Sequence, residues 1–238
     1  QFEDDVILDM FDSFCSIVNS IGSHIVDKDS VFNAPLPIKI QNSRDLFNLT
    51  EYEYKDCMLY DGFLTNLQKK PDSIAVIHNN LEYSYYELGL YVSTIYELIK
   101  SKNITKKDYV VILQSKGVWQ IATALASMLI GSRFIPLDRD QPNVRIKKII
   151  DKLGKVLVVG DYEISDIYDK FINVRELDIR TSLSNFKSET DINDIAYTIF
   201  TSGSTGEPKG VNITHKAAMN TILDINNRMG IVEDDVFL

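Results

Sequence analysis

The chain has 238 residues, of which 45% are hydrophobic and 25% charged, with 25 Lys and Arg against 34 Asp and Glu. These are globular proportions in a chain long enough to bury a large core, and they exclude collagen-like and low-complexity classes. The formal net charge of −9 lacks the basic excess that binds a phosphate backbone, so we predict no nucleic-acid partner. A local cradle of backbone amides can still bind a small anion.

Neither metal nor membrane binding is indicated by the residue spacing. Cys15 and Cys57 form no CxxC motif and the three histidines are scattered, so we predict no metal ligands and no disulfide scaffold. The longest apolar stretch, residues 121–130, is about half the length of a membrane span and is interpreted as a buried helix, which predicts no membrane anchor. The amino terminus has no initiator Met and no signal-peptide pattern, so the chain is interpreted as part of something longer.

An amphipathic helix is predicted over residues 5–21, where apolar side chains recur at helical spacing and Gly22 stands at the position of a C-terminal cap. Residues 27–55 are polar, carry Pro35 and Pro37, and show no sustained period. They are interpreted as a linker, so the first helix is expected to belong to a preceding domain.

From residue 56 onward, strand and helix patterns alternate. The predicted elements are a helix over 58–69, a strand over 74–77, a turn at 79–80, an extended segment over 81–83, a helix opened by a Ser84 and Glu87 capping box, a strand over 109–113, a helix over 118–129, a strand over 134–137, a helix begun by Pro142, and strands over 155–159 and 195–200. Such alternation predicts an α/β fold whose mostly parallel sheet is flanked by helices on both faces. Ligands of such sheets bind beyond the carboxyl ends of the strands.

A segment rich in Ser, Thr and Gly, TSGSTGEPKG, occupies residues 201–210 directly after the last predicted strand. Glycines let backbone amides converge on one point, the hydroxyls add donors, and Lys209 adds a positive charge that a polyphosphate favours. It is not a Walker A loop, because Pro208 precedes the lysine and Gly210 follows it. Two interpretations remain open: a flexible anion cradle that swings over a nucleotide, or a mobile surface turn.

The longer string from Tyr197 to Val211 closely resembles the signature of the adenylate-forming superfamily, which includes acyl-CoA synthetases, luciferases and the adenylation domains of nonribosomal peptide synthetases. Residues 83–88 (YSYYEL) and 129–138 (LIGSRFIPLD) are similar to two further core motifs of peptide-synthetase adenylation domains, in family order. Arg133 departs from the pattern, because the family usually has a small residue there. The resemblance implies the N-terminal subdomain of an adenylate-forming enzyme, incomplete, preceded by a helix and a linker.

Two other stretches resemble peptide synthetases that close heterocycles. Residues 140–142 and 220–226 (NTILDIN) are similar to adenylation domains that follow heterocyclisation domains, and residues 8–14 (LDMFDSF) to the end of such a domain. The implied organisation is the tail of a condensation or cyclisation domain over 1–28, an interdomain linker over 29–55 and the N-terminal part of an adenylation domain over 56–238. A cyclisation neighbour implies activation of Cys first, then Ser or Thr, because ring closure needs a side-chain nucleophile.

The resemblance also implies a reaction. An amino-acid carboxylate attacks the α-phosphate of Mg-ATP, and the aminoacyl adenylate is transferred to the phosphopantetheine thiol of a carrier protein domain. Lys209 is the candidate catalytic residue, although it is equally interpretable as a solvated charge that fixes the loop. The implied phosphate-binding residues are Thr201, Ser202, Gly203, Ser204, Thr205 and Gly206.

Other candidate residues have structural interpretations. His215 is expected in the first turn of a helix capped by Thr214 rather than as a base, and Trp119 is expected in the core. The family's magnesium ligand, adenine-contacting motif, most pocket residues and C-terminal catalytic lysine would fall after Leu238, so we expect an incomplete enzyme. The implied setting is cytoplasmic assembly of natural products such as siderophores, with a preceding condensation or cyclisation domain and a small accessory protein as partners.

Two other functions remain open. The piece is alternatively a non-catalytic interdomain platform that docks a neighbouring domain. The other alternative is that the chain is part of an acyl-CoA synthetase-type ligase. This alternative accounts for the glycine-rich segment but leaves the upstream helix and linker unexplained.

Overall fold

The computed structural model describes residues 4–23, 36–52, 54–162, 168, 171–202, 207–232 and 235–237. The chain divides into two compact units, Gln1–Glu53 and Tyr54–Leu238. Within the described ranges, no helix is long and apolar enough to cross a bilayer. Cys15 and Cys57 are free thiols.

The first unit contains two helices, α1 (Asp4–Ser23) and α2 (Ile38–Asn48). The predicted first helix is confirmed, but it runs through Gly22, so the cap predicted there was wrong. Helix α2 lies inside the segment interpreted as a linker and follows Pro37, whose φ of −49° suits entry into a helix. The sequence showed no period here because the helix buries none of its residues: Ile38 is 79% exposed and Phe47 85%. The domain boundaries at 28 and 55 stay a prediction.

The second unit alternates strands and helices, and each predicted element is confirmed to within three residues at its ends. Two strands, β6 and β8, were not predicted. The elements are α3 (Asp61–Lys69), β1 (Ile74–His78), β2 (Leu81–Ser84), α4 (Tyr85–Ser101), β3 (Tyr109–Leu113), α5 (Val118–Ile130), β4 (Arg133–Pro136), α6 (Asn143–Asp151), β5 (Val156–Gly160), β6 (Phe171–Asn173), β7 (Ile195–Ser202), β8 (Pro208–Thr214) and α7 (His215–Met229).

Local chemistry explains the predicted turn and helix start. Asn79 and Asn80 have φ of 52° and 61°, the left-handed conformation that a tight two-residue hairpin between β1 and β2 requires. The capping box of α4 is complete, because Glu87 N donates to Ser84 Oγ at 3.1 Å and Ser84 N donates to Glu87 Oε2 at 2.8 Å.

The main sheet has six described strands in the order β6-β5-β3-β4-β7-β8, and β8 runs antiparallel to the others. Alternate residues of β3 enter two separate cores. Val110 packs into a first core with α4 and α5, whereas Val111 and Leu113 pack into a second core with α6. Because helices cover both faces, the predicted α/β architecture is confirmed.

This topology decides where side chains can meet. Strands β3, β4, β5 and β7 are parallel, so the loops that follow them share one edge of the sheet, called here the carboxyl edge. The chain leaves β3 for α5 on one face and leaves β4 for α6 on the other. Loops that diverge in this way open a crevice between neighbouring strands, the usual ligand position in open α/β sheets.

Candidate functional site

The described ends of the Ser/Thr/Gly segment, residues 201–202 and 207–210, belong to the β7–β8 hairpin at the carboxyl edge. Thr201 pairs with Lys209 and Ser202 with Pro208, and Thr201 Oγ1 lies 3.5 Å from the Lys209 carbonyl oxygen, to which it donates. The structure therefore brings three of the predicted site residues together at the base of the turn. Gly203, Ser204, Thr205 and Gly206 lie outside the described residues, and the role of the whole set stays a prediction.

The hairpin is held by polar contacts between its strands and from α6. Buried Thr198 donates its hydroxyl to Asn212 Oδ1 at 2.7 Å across the two strands. At the start of β8, Lys152 Nζ donates to Glu207 Oε2 at 2.7 Å and Lys148 Nζ to Glu207 Oε1 at 3.5 Å. The Lys152 hydrogen bond, then the charges of both lysines, hold the pKa of Glu207 below its ordinary value. Sequence reasoning missed these lysines, because no motif links α6 to a segment so far along the chain.

A second cluster at the same edge is centred on Asp161, directly after β5. Its carboxylate accepts from Ser115 N at 3.1 Å and from Arg139 Nη1 at 3.3 Å, and lies 3.7 Å from Arg175 Nη2. Arg139 also donates to Ser115 Oγ at 2.5 Å. The Asp161 side chain is 10% exposed, so one nearly buried carboxylate joins the loops that follow β3, β4 and β5. The alternation of elements predicted that these loops meet but not which side chains bind each other.

A polar cavity of 720 Å³ lies in the crevice between the loops that follow β3 and β4. Its lining includes Gln114, Lys116, Gln120, Asp138 and Arg139. Gln114 Nε2 donates to Thr123 Oγ1 at 3.1 Å, and that hydroxyl donates to the Trp119 carbonyl at 2.8 Å. The amide orientation is therefore fixed, and the buried Gln114 Oε1 has no partner among the described residues. The cavity has the size and polarity to hold a small ligand.

His215 lies at the opposite edge of the sheet, because β8 runs antiparallel and ends beside the start of β7. It is 1% exposed, its Nδ1 accepts from Leu59 N at 3.3 Å, and burial lowers its pKa. The predicted cap is confirmed, since Ala217 N donates to Thr214 Oγ1 at 3.1 Å. The imidazole is therefore part of the interior and stands apart from the Thr201 and Lys209 pair.

The two remaining residues singled out from the sequence, Trp119 and Arg133, pack against neighbouring aromatic side chains. Trp119 packs against the first core and meets the Tyr91 ring edge-on at 4.6 Å between centroids, in agreement with the core interpretation. Arg133, the departure from the family pattern, donates to the Tyr109 hydroxyl at 3.1 Å and places its guanidinium 5.5 Å from that ring centroid. The neighbouring tyrosine thus accommodates the long side chain.

An open, mostly parallel α/β sheet with a Ser/Thr/Gly hairpin at its carboxyl edge is an architecture suited to binding an anionic ligand at that edge. The chain belongs to the AMP-binding enzyme family, whose model matches residues 63–238.

The curated relatives include two synthases and a system regulator. The chain is 31% identical to bacitracin synthase 1 of Bacillus licheniformis over 98% of its length and 4% of that protein. It is 29% identical to the anguibactin system regulator of Vibrio anguillarum over 98% of the chain and 23% of the relative. It is 31% identical to phenyloxazoline synthase MbtB of a Mycobacterium species over 81% of the chain and 17% of the relative. The chain thus spans less than a quarter of the length of these relatives.

Solved structures confirm the fold. The nonribosomal peptide synthetase FmoA3 with bound α-methyl-L-serine-AMP matches with a TM-score of 0.80 at 22% identity, over 98% of this chain and 27% of that one. The N-terminal subdomain of Klebsiella oxytoca NpsA matches with a TM-score of 0.59 at 25% identity, over 67% of this chain and 41% of that one. The predicted resemblance to the N-terminal part of an adenylation domain is confirmed.

Proposed function

We propose that the protein carrying this chain is an amino-acid adenylating ligase of a nonribosomal peptide synthetase module. It joins the amino-acid carboxylate to the α-phosphate of Mg-ATP with release of pyrophosphate, then passes the aminoacyl group to the phosphopantetheine thiol of a carrier domain. The observation that carries the proposal is the position of the β7–β8 hairpin, which places Thr201, Ser202 and Lys209 at the carboxyl edge of the parallel sheet.

The physical task is to bring two anions together and to stabilise the departing pyrophosphate. Hydroxyl and amide donors fixed before the reaction do this without reorganising at the moment of bond formation. In the proposal, Thr201 and Ser202 at the end of β7, with Gly203 to Gly206, donate to the β- and γ-phosphates. Lys209, which pairs with Thr201, places its ammonium beside them. Its charge offsets the accumulation of negative charge on the leaving group.

The described residues contain no group of three or more His, Cys, Asp or Glu side chains able to hold an ion. In the proposal Mg²⁺ binds together with ATP, whose phosphate oxygens are ligands that it prefers. When bound, the ion neutralises phosphate charge, and the hairpin donors orient the same oxygens.

The proposed substrate is cysteine, followed by serine or threonine. Its support is the resemblance of residues 8–14 and 220–226 to cyclising synthetases. One relative is named for an oxazoline, a ring closed by a hydroxyl oxygen, which favours testing serine and threonine beside cysteine. The proposed partners are a carrier domain, a preceding condensation or cyclisation domain whose C-terminal tail is residues 1–28, and a small accessory protein.

Amino-acid-dependent exchange of labelled pyrophosphate into ATP by the full-length protein tests the proposal. We expect exchange with cysteine, serine or threonine, and absence of exchange with all three rejects the substrate assignment. Gly203→Ala and Ser204→Ala variants separate an enzyme from a docking platform. Loss of exchange in both supports the ligase, whereas unchanged exchange in both supports the platform.

A further inference from the structure

Glu207, which follows Gly206 in sequence, is bound by two lysines of α6. Glu207 accepts from Lys152 Nζ at 2.7 Å and from Lys148 Nζ at 3.5 Å, and Lys152 also lies 3.4 Å from the carbonyl oxygen of Pro208 as a donor. Lys148 and Lys152 are four residues apart in sequence, so they project from one face of the helix. One side chain and one backbone group of the hairpin base are therefore bound by the same lysine.

Both ends of this clamp are anchored. Ile146, Ile149 and Ile150 of α6 are buried in the second core, so the helix is a rigid support for the two lysines. On the hairpin side Pro208 is buried at the start of β8, and the next residue, Lys209, is in register with Thr201. Glu207 thus connects the second core to the strand pair that carries the proposed phosphate-binding groups.

The clamp is poorly suited to stabilising the fold. The side chains of Lys148, Lys152 and Glu207 are 54%, 44% and 54% exposed, and exposed ion pairs contribute little to folding. Its geometry is better suited to positioning. The two groups that Lys152 binds, the Glu207 carboxylate and the Pro208 carbonyl, lie at the point where the chain enters β8, directly before Lys209.

We propose that Lys152, assisted by Lys148, is a positioning residue for ATP: by holding Glu207 and the Pro208 carbonyl against α6, it fixes where Lys209 and Thr201 stand. The inference rests on the proposed function and goes beyond it, because it assigns a role to residues outside the Ser/Thr/Gly segment. Neither lysine touches the substrate in this proposal. Their effect is to limit the positions open to the hairpin before the nucleotide arrives.

The experiment measures pyrophosphate exchange by the full-length protein at varied ATP. We expect Lys152→Met to raise KM for ATP about fivefold with little change in kcat, a size set by the typical strength of exposed ion pairs. Lys148→Met has a smaller effect, because its contact is longer. Lys152→Arg keeps the charge and retains most of the wild-type KM. The matched control is Lys100→Met, which removes an exposed ion pair with Glu97 on α4 and leaves KM for ATP unchanged.

Two further readouts separate positioning from a general structural role. Glu207→Gln also raises KM, and the effects of the double variant are less than additive, because the two single changes share the loss of the Lys152–Glu207 contact. Raising the salt from about 0.05 M to about 0.5 M brings the KM ratio of Lys152→Met to wild type towards one, because salt screens the exposed pair that only the wild type has. The melting temperature of each variant stays near that of the wild type.

A wild-type KM for ATP in Lys152→Met, additive effects in the double variant, or an equal effect of Lys100→Met would each overturn the clamp. These results are distinct from failure of the proposed function, in which the wild-type protein itself shows no amino-acid-dependent exchange.

Discussion

Gly210 faces Phe200 across the β7–β8 hairpin, and the space between them is already filled. A Cβ atom at position 210 would lie 3.2 Å from Phe200 Cζ and 3.0 Å from Thr198 Cγ2. Thr198 is buried and hydrogen-bonded to Asn212, so it has little room to move. The last glycine of the family signature in this chain is therefore explained by packing between strands as well as by its place beside the turn.

We expect Gly210→Ala to destabilise the protein by about 1 kcal/mol and Gly210→Val by about 2 to 3 kcal/mol. Overpacking costs about 1 to 3 kcal/mol, and replacing a strand glycine with alanine returns about 0.5 to 1 kcal/mol. Urea unfolding followed by the fluorescence of Trp119, the single tryptophan, measures both variants. Equal stability of the alanine variant and the wild type would show that Phe200 and Thr198 move aside.

Asp161→Asn tests the carboxylate that joins three loops. The change removes the negative charge shared by Arg139 and Arg175, whose side chains are 35% and 66% exposed, and weakens the hydrogen bonds that the nearly buried carboxylate accepts. We expect a loss of about 1 to 2 kcal/mol in unfolding free energy. The control is Asp140→Asn: that side chain is 89% exposed, 3.9 Å from Arg139 Nε, and we expect a change below about 0.5 kcal/mol. Similar losses in the two variants would contradict the central role of Asp161.

The capping box of α4 predicts that Ser84→Ala lowers the unfolding free energy by about 1 kcal/mol, because Glu87 N loses its acceptor. Ser101→Ala, at the other end of the same helix, removes an exposed hydroxyl that bonds Leu98 O. We expect no loss there, since alanine is the better helix former. Chemical unfolding of both variants checks the difference, and a stable Ser84→Ala would count against the cap.

Burial of His215 predicts a dependence of stability on pH. Burial lowers its pKa, and this outweighs the charges of Asp194 and Asp61, which raise it. The unfolded chain therefore takes up a proton as the pH falls below the ordinary value of 6.5, while the folded protein does not until lower pH. The stabilising contribution of the neutral imidazole is therefore fully present above pH 6.5, and it is lost as the pH falls through the folded-state pKa.

We expect His215→Asn, whose Oδ1 can still accept from Leu59 N, to lose less stability between pH 7.5 and about 5.5 than the wild type does. Carboxylates titrate mostly below this window. Urea midpoints at several pH values provide the measurement, and parallel curves for the two proteins would contradict the prediction.

Substitution of Lys209 separates the two interpretations of its charge. If its ammonium contacts a phosphate, Lys209→Ala lowers kcat/KM for ATP by about 10- to 100-fold, the usual value of a charge-assisted hydrogen bond. Lys216→Ala, beyond the far end of β8, is the control and keeps the wild-type value. Pyrophosphate exchange by the full-length protein checks both, and a near-normal Lys209→Ala would make the lysine a solvated charge.

The elements found from sequence are those whose signals are local. Helix α4 carries its capping box, and the hairpin before it carries two asparagines at positive φ. Strand β8 was missed because it begins with a proline and most of its side chains are exposed, so it shows no regular alternation. Strand β6 was missed because it has only three residues, too few for a periodic pattern.

The residues of the candidate site show the same difference between local signals and contacts that are distant in sequence. Thr201 and Lys209 were predicted as site residues because they belong to a contiguous motif; the hairpin register brings them together, and their role stays a prediction. The clamp of Lys152 on Glu207 and the contacts of Asp161 were not found, because each joins segments far apart in sequence. A pattern of alternating elements predicts which loops meet at one edge, whereas the pairing of individual side chains depends on the conformations they adopt there.

The strand order has a consequence for how the protein is made on the ribosome. Strand β4 pairs with β7, where Phe134 is in register with Tyr197. Strand β7 is synthesised about sixty residues after β4. Until then one edge of β4 has no neighbour, so its unpaired amides are open to other nascent chains. Joining the two halves of the sheet is therefore expected to be a late, slow event in folding.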